Sequence, residues 1–288
     1  MKNPVMRRLV CLLLAVLAVL ILCSCASSPS TNHPEAASNG TEFSAYFFSA
    51  GKADAILLTT KNATVLIDCG EKGFGQTILD HLSEQGISKI DVLIITHFDQ
   101  DHVGGAAKVI NNIPIDTVLQ SNCPKDSEEY EKYVKALNNA GLVPTTVRED
   151  YAFILDGVMF DINPPRLSDY QDDDSNNSSL IVTVTNGDNV LLFMGDAQTE
   201  RLAEYLAGAP VDCDLIKIPH HGGADEMMDE LIAATEPEYA VITCAEEEPD
   251  ISSTYAMLAE ANVSTFLTSE APVTVHSDGI VLTVGYTE

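Results

Sequence analysis

Cations are scarce in this chain: 15 lysines and arginines stand against 43 aspartates and glutamates, for a formal net charge of −28. A field of that sign repels nucleic acid, anionic lipid and other polyanions at long range and attracts divalent cations. That charge disfavours a broad DNA-binding face, although DNA stays open as a substrate. CxxC pairs are absent among the seven cysteines. Once Cys11, Cys23 and Cys25 are set aside with the N-terminus, the scattered Cys69, Cys123, Cys213 and Cys244 read as buried small apolar residues rather than as a disulfide framework. The apolar stretch from Leu9 to Leu22 is too short for a membrane span. A second linker and a short-period repeat are also missing, so one large domain is expected.

What is present begins with a secretion signal. Lys2, Arg7 and Arg8 form a positive segment ahead of the apolar stretch. The stretch closes on Leu22-Cys23-Ser24-Cys25, which resembles the lipobox of bacterial lipoproteins. That resemblance implies cleavage before Cys25, a diacylglyceryl group on its sulfur, and an exported domain held on the cell membrane by lipid alone. Losing the signal removes three cations and no anion, which makes the remainder more acidic still. Residues 25–41 are rich in Ser, Pro, Asn and Ala without apolar periodicity and read as a flexible tether. The chain thus divides into a signal peptide over 1–24, a tether over 25–41 and a folded domain over 42–288.

Within the domain, β-branched and aromatic content predicts strands at Phe43 to Phe48, Ala55 to Thr60, Thr64 to Asp68 and Val92 to Thr96. Helical periodicity marks Gln76 to Gln85, Ala106 to Ile110 and Ser127 to Ala140. The second half repeats the mixture. Leu180 to Thr185 and Val190 to Met194 flank the turn Asn186-Gly187-Asp188-Asn189. Further strands at Leu215 to Ile218, Tyr239 to Ile242 and Ser264 to Leu267 alternate with helices at Glu226 to Ala234 and Thr254 to Glu260. Val273 to Val284 closes the chain as a hairpin through Ser277-Asp278-Gly279. Hairpins and alternating helices in both halves suggest an α/β fold of two mixed sheets packed face to face with helices outside, an αββα sandwich.

The chemistry concentrates in Asp91 to Gly105. An apolar strand runs into His97-Phe98-Asp99-Gln100-Asp101-His102, and Gly104-Gly105 open a helix. Four metal-competent side chains therefore sit within one short turn at the end of a strand. Imidazole and carboxylate donors together suit divalent ions that acidify water and polarise phosphoryl or carbonyl oxygens.

This HxDxDH segment resembles the HxHxDH signature of the metallo-β-lactamase superfamily. With Val103-Gly104-Gly105 it is similar to the variant in the hydrolase domain of ComEC-type DNA-uptake channel proteins. Asp54 to Leu58 resembles that family's early GDA strand, and Val65 to Gly70 its strand ending in Asp-x-Gly. Asn177 to Leu180 with Phe193 to Ala197 resembles its NxxSL and TGDA motifs, and Lys217 to Gly223 its KxPHHGS motif. The likeness spans essentially Phe43 to the final hairpin. It implies a hydrolase with two divalent ions, zinc and/or manganese. His97 and Asp99 would bind one ion, Asp101 and His102 the other, Asp196 would bridge them, and His220 would complete the second site. Asp68 would orient ligands from behind or hold a water. Asp68 and Asp101 are counted with the catalytic groups, together with His221, which is left to hydrogen-bond the substrate or act as general acid.

The sequence departs from the pattern in two places. The superfamily places a histidine between HxHxDH and the bridging aspartate, whereas no histidine lies between His102 and His220. Asn176, Asn177 or water must fill that position. With Asp99 also replacing a histidine, the first site is rich in oxygen, which favours manganese or magnesium over zinc there. The first aspartate of the family's DVGQGDA is lost in Ser49 to Ala55. The resemblance implies attack on phosphorus by a hydroxide held by the metals. The net charge ranks a small or oligomeric phosphodiester substrate above DNA. Two other expectations stay open: a lactone or lactam hydrolase, and a degenerate metal-binding lipoprotein. Lys52 and Lys217 adjoin the motifs as candidates to meet a phosphate, although Lys217 is equally placed to face solvent. His33 falls in the tether, His81 on a surface helix and His276 in the closing hairpin. Asp169 to Ser175 reads as a solvated loop that could rim the site.

Overall fold

Residues alternate between buried and half-buried along Phe43–Phe47 (β1), as a strand with one face on a core requires. The structure, a computed structural model, describes residues 40–167, 170, 175–246 and 251–287. The expected signal peptide, Cys25, His33, nearly all of the expected tether and most of the Asp169 to Ser175 loop lie outside the described residues. Among those described, no helix is long and apolar enough to cross a membrane.

Two sheets carry the domain. The first contains β1, β2 (Ile56–Thr60), β3 (Thr64–Ile67), β4 (Ile90–Ile95), β5 (Ile115–Gln120), the short β6 (Thr145–Thr146), β14 (Val273–Ser277) and β15 (Leu282–Tyr286), in the order β15-β14-β1-β2-β3-β4-β5-β6. The second contains β7 (Tyr151–Leu155), β8 (Val158–Asn163), β9 (Ile181–Asn186), β10 (Asn189–Phe193), β11 (Leu215–Lys217), β12 (Tyr239–Ile242) and β13 (Ser264–Leu267), in the order β13-β12-β11-β10-β9-β8-β7. Each sheet is antiparallel on one side and parallel on the other. The parallel runs are β3 to β6 and β10 to β13.

One core lies between the sheets, where Phe47 stacks on Phe193 at 5.9 Å and Ile67, Ile94, Val182 and Val241 are fully buried. A second core joins the first sheet to α1 (Gly75–Glu84), α3 (Ala106–Ile110) and α4 (Glu128–Ala140) through Leu66, Leu93, Ile78, Val109 and Tyr133. A third joins the other sheet to α5 (Thr199–Ala207), α6 (Met228–Thr235) and α7 (Ser252–Glu260) through Leu192, Ile216, Leu202, Leu231 and Leu258. The expected αββα layering is the one observed. The cysteines Cys69, Cys123, Cys213 and Cys244 are all free, and all but Cys123 are buried.

Several elements were not visible beforehand. The hairpin β7–β8 turns on Asp156-Gly157, both at positive φ (49° and 89°), the geometry of a two-residue I′ turn. Asp-Gly is itself a hairpin signal and would have found it. Strand β5 escaped because Asp116, Thr117 and Gln120 dilute its apolar run. Helix α5 escaped although Leu202, Tyr205 and Leu206 share one helical face. His81 corrects the surface reading of its helix: it is half-buried, stacked 4.3 Å from Tyr46, and burial lowers its pKa. His276 bonds Ser44 Oγ at 2.8 Å across the β1–β14 pair, a structural contact.

Candidate metal centre

Both parallel runs end at the same pole, where strand carboxyl ends leave loops free to converge, the usual place for a ligand in α/β sheets. Asp68 follows β3, His97 follows β4, Asp196 follows β10, His221 follows β11 and Thr243 follows β12. A short helix, α2 (Gln100–Val103), brings in Asp101 and His102. Gly105 carries no side chain where the chain after α2 presses on the Cys69 carbonyl, so the turn closes against β3. Gly195 sits at φ +54° with Ser179 against it, and this close approach places Asp196.

Asp101, His102, Asp196 and His221 each offer one ligand atom, and all four atoms lie within 4.8 Å of one another. Both imidazoles aim Nε2 at the same oxygen: His102 and His221 each lie 3.1 Å from Asp196 Oδ2. Their Nδ1 atoms are held from behind. His221 Nδ1 donates to the Thr243 carbonyl at 3.0 Å, and since a carbonyl only accepts, the neutral ring must present an unprotonated Nε2 to the cluster. His102 Nδ1 meets Asp68 Oδ2 at 2.8 Å. Asp68 is itself fixed by the Thr96 amide at 2.8 Å and the Thr96 hydroxyl at 2.6 Å. Such a carboxylate–histidine arrangement orients ligands toward a metal. Asp68, His220 and His221 also adopt left-handed φ values of 55°, 47° and 54°. Non-glycine residues keep such backbone only where their surroundings enforce it, and the three fall together at this site.

Under the cluster lies a buried ion pair. Lys217 Nζ contacts Asp54 Oδ2 at 2.5 Å, donates to the Gly195 carbonyl at 3.1 Å and lies 3.6 Å from Asp196 Oδ1. Asp54 accepts a further bond from Thr243 Oγ1 at 2.6 Å. Lys217 is fully buried, so neither solvent nor a substrate phosphate meets it directly. The apolar run before Lys217 gave no sign that its cation would turn inward, because its partner Asp54 is far away in sequence.

The structure places His221, not His220, with the other three donors. The chain turns sharply at Pro219–Gly222, which points the two adjacent rings apart, their centroids 6.2 Å from each other. His220 is half-buried, and burial lowers its pKa. The first-ion residues are less gathered. His97 Nε2 lies 3.9 Å from Asp99 Oδ1, and its ring is 4.1 Å from that of His102. Asp99 Oδ1 is bonded instead by Lys125 Nζ at 2.7 Å and by Ser175 Oγ. The oxygen of Asn177 accepts from the backbone amides of Gln198 and Arg201 at 3.1 Å each, holding the start of α5. That employment turns Asn177 away from any ligand role, and the Asn176 amide nitrogen donates to Gln198 at 2.8 Å. Ser179 was missed as a positioning group, although it lies inside a recognised motif. Its hydroxyl accepts from the Asp196 amide at 3.0 Å and lies 3.4 Å from His97 Nδ1.

The side chains present fit divalent ions. Nε2 of His97 and of His102 and Oδ1 of Asp196 are buried without a hydrogen-bond partner, a costly state that an ion would relieve. Electrostatics agree. Burial opposes charge on Asp196, yet His102 and His221 hold its carboxyl well below the usual range. Burial likewise opposes charge on the two imidazoles, but Asp196 and the neighbouring carboxylates together outweigh it. Asp68 helps to raise His102 well above its ordinary value, and Asp101 helps to raise His221 to about 9.

In the metal-free protein these histidines are therefore cations that a metal must deprotonate. The folded pKa of His221 lies above its unfolded value of about 6.5. Its stabilisation, about 3 kcal/mol for that shift, is complete below pH 6.5 and disappears as pH rises through about 9. Metal binding runs the other way. We expect the melting temperature of chelator-treated protein to fall between pH 6.5 and 9 while the stabilisation given by saturating manganese grows. A metal-free melting temperature that stays flat across that window would show that these imidazoles are already neutral.

Comparison with known proteins came to the same place. Residues 49–245 match the Metallo-beta-lactamase superfamily. ComE operon protein 3 of Bacillus subtilis (strain 168) is 26% identical over 175 residues, 60% of this chain and 22% of that protein. Competence protein ComA of Neisseria gonorrhoeae is 27% identical over 227 residues, 78% of this chain and 29% of that protein. The chain thus spans less than a third of the length of either relative. The crystal structure of the metallo-beta-lactamase fold protein YhfI from Bacillus subtilis superposes with a TM-score of 0.54 at 7% identity, covering 85% of this chain and all of that one, a likeness of fold alone.

Proposed function

The chain belongs to the metallo-β-lactamase superfamily and is a metal-dependent hydrolase of that fold, and from that premise we propose that it hydrolyses phosphodiesters. The observation that carries the reading is the donor set: two imidazoles and two carboxylates form the close cluster, and the neighbouring position offers one imidazole, His97, beside Asp99. Oxygen-rich sites suit manganese and magnesium, ions that commonly serve phosphoryl chemistry. The relatives named for competence support the same direction. The acidic chain favours a small or oligomeric phosphodiester over tightly bound DNA.

Asp101, His102, Asp196 and His221 would hold the second ion, with His97 and Asp99 reaching toward the first, which Asp196 would share. Bound divalent ions supply an acidified water and stabilise oxyanion charge at phosphorus. The chain's own residues do the rest. Asp68 and Thr243 fix the imidazole orientations through Nδ1, and the Lys217–Asp54 pair keeps Asp196 in place from below. His220 stands beside the cluster as the imidazole left to hydrogen-bond the substrate.

We expect bis-p-nitrophenyl phosphate to be cleaved faster with manganese than with zinc, and His102→Ala to abolish the reaction while leaving the circular-dichroism spectrum unchanged. Nitrocefin serves as the carboxyl-type control. A metal-loaded protein that opens nitrocefin but cleaves no phosphodiester under either ion overturns the proposal.

A further inference from the structure

We propose that Lys125 competes with the first divalent ion for Asp99, so that the two ion positions fill in sequence and the first is held more weakly than the second. The inference rests on the metal-site reading above and concerns a residue outside every recognised motif.

Lys125 lies on the loop between β5 and α4, distant in sequence from the strand that delivers His97 and Asp99. Its ammonium is 2.7 Å from Asp99 Oδ1 and 2.9 Å from Ser175 Oγ, and that serine bonds the same carboxylate oxygen. The buried Nε2 of His97 has no hydrogen-bond partner and lies 3.9 Å from that same oxygen. A single carboxylate oxygen thus has two neighbours, a lysine already in contact and an imidazole whose buried nitrogen lacks a partner. An ion bridging His97 and Asp99 through Oδ1 must displace the ammonium. An ion using Oδ2 remains beside it and is repelled, since like charges a few ångströms apart in a partly buried site interact strongly.

Among the described residues, no such competitor reaches the other position. His102 and His221 converge with Asp101 on Asp196 Oδ2, and the buried Lys217 lies 3.6 Å from the other oxygen, Oδ1. Removing Lys125 leaves the fold intact by the same geometry. Its side chain is more than a third exposed, and among the described residues it bonds Asp99 and Ser175.

Calorimetric titration of the metal-stripped protein with manganese tests the point without reference to activity. The native chain should show two unequal steps, or one measurable step. Lys125→Met should tighten the weaker step by about tenfold or more, the scale of a lost charge-assisted contact, and leave the tighter step unchanged. Lys125→Arg, which keeps the cation, should behave as the native chain. Two equal steps in the native protein, or a weaker step unmoved in Lys125→Met, overturns the competition while leaving the metal site standing. A protein that binds no manganese at all overturns both.

Discussion

Asp196→Ala will lose more metal than any other single substitution and will lower phosphodiester cleavage by roughly three orders of magnitude, since metal stabilisation of the transition state is worth several kcal/mol. The reason is geometric. Asp196 Oδ2 is the point on which both His102 and His221 converge at 3.1 Å, and its other oxygen is buried without a hydrogen-bond partner, 3.6 Å from Lys217. Without that carboxylate, two divalent ions would face each other, and three basic side chains, with nothing between them. The metal-free variant should still fold. The inter-sheet core does not involve Asp196, Lys217 keeps Asp54, and the two histidines can shed their protons. Its pKa-linked loss of stability above pH 6.5 should shrink, because Asp196 is the main charge that raises both imidazoles. Elemental analysis and melting curves read both effects. Unchanged metal content would remove Asp196 from the centre of the site.

The residues that could be found from sequence alone are those whose signal is local. His97 to His102 stand out because polar, metal-competent side chains interrupt an apolar strand. Asp68 and Asp196 stand out because Val65 to Gly70 and Phe193 to Ala197 resemble two of the family's motifs. The αββα layering was legible from hairpins and alternating helices in both halves, with most elements within a residue or two of their observed ends. What stayed hidden depends on long-range placement. Lys217 reads as a lysine on a strand, and only the fold brings Asp54 under it. Lys125 reads as one cation in a polar loop, and only the fold carries that loop to Asp99. Asn177 sits in a motif, yet its oxygen serves the start of α5. The choice between His220 and His221 was of the same kind. Two adjacent histidines are equivalent as letters and are separated only by the direction of a turn.

That choice yields the sharpest contrast in the site. His221→Ala should weaken metal binding at the tighter position by at least about a hundredfold and cut turnover by two to three orders of magnitude, the scale of several kcal/mol of lost metal stabilisation. His220→Ala should keep the native metal content and lose less than about tenfold, as for one hydrogen bond to the substrate. The pair is well controlled. Both residues hold left-handed φ values, 47° for His220 and 54° for His221, so alanine meets a similar backbone cost at either position. Both belong to the same short turn, so damage to the turn would affect the two variants alike. Only the side-chain destinations differ. His221 is anchored through Nδ1 on the Thr243 carbonyl and delivers Nε2 to Asp101 and Asp196 at 3.2 and 3.1 Å, whereas the ring of His220 lies outside the four-donor cluster. If His220→Ala lost the metal while His221→Ala kept it, the roles would revert to those expected from the sequence, and the turn at Pro219–Gly222 would have to rotate when an ion binds.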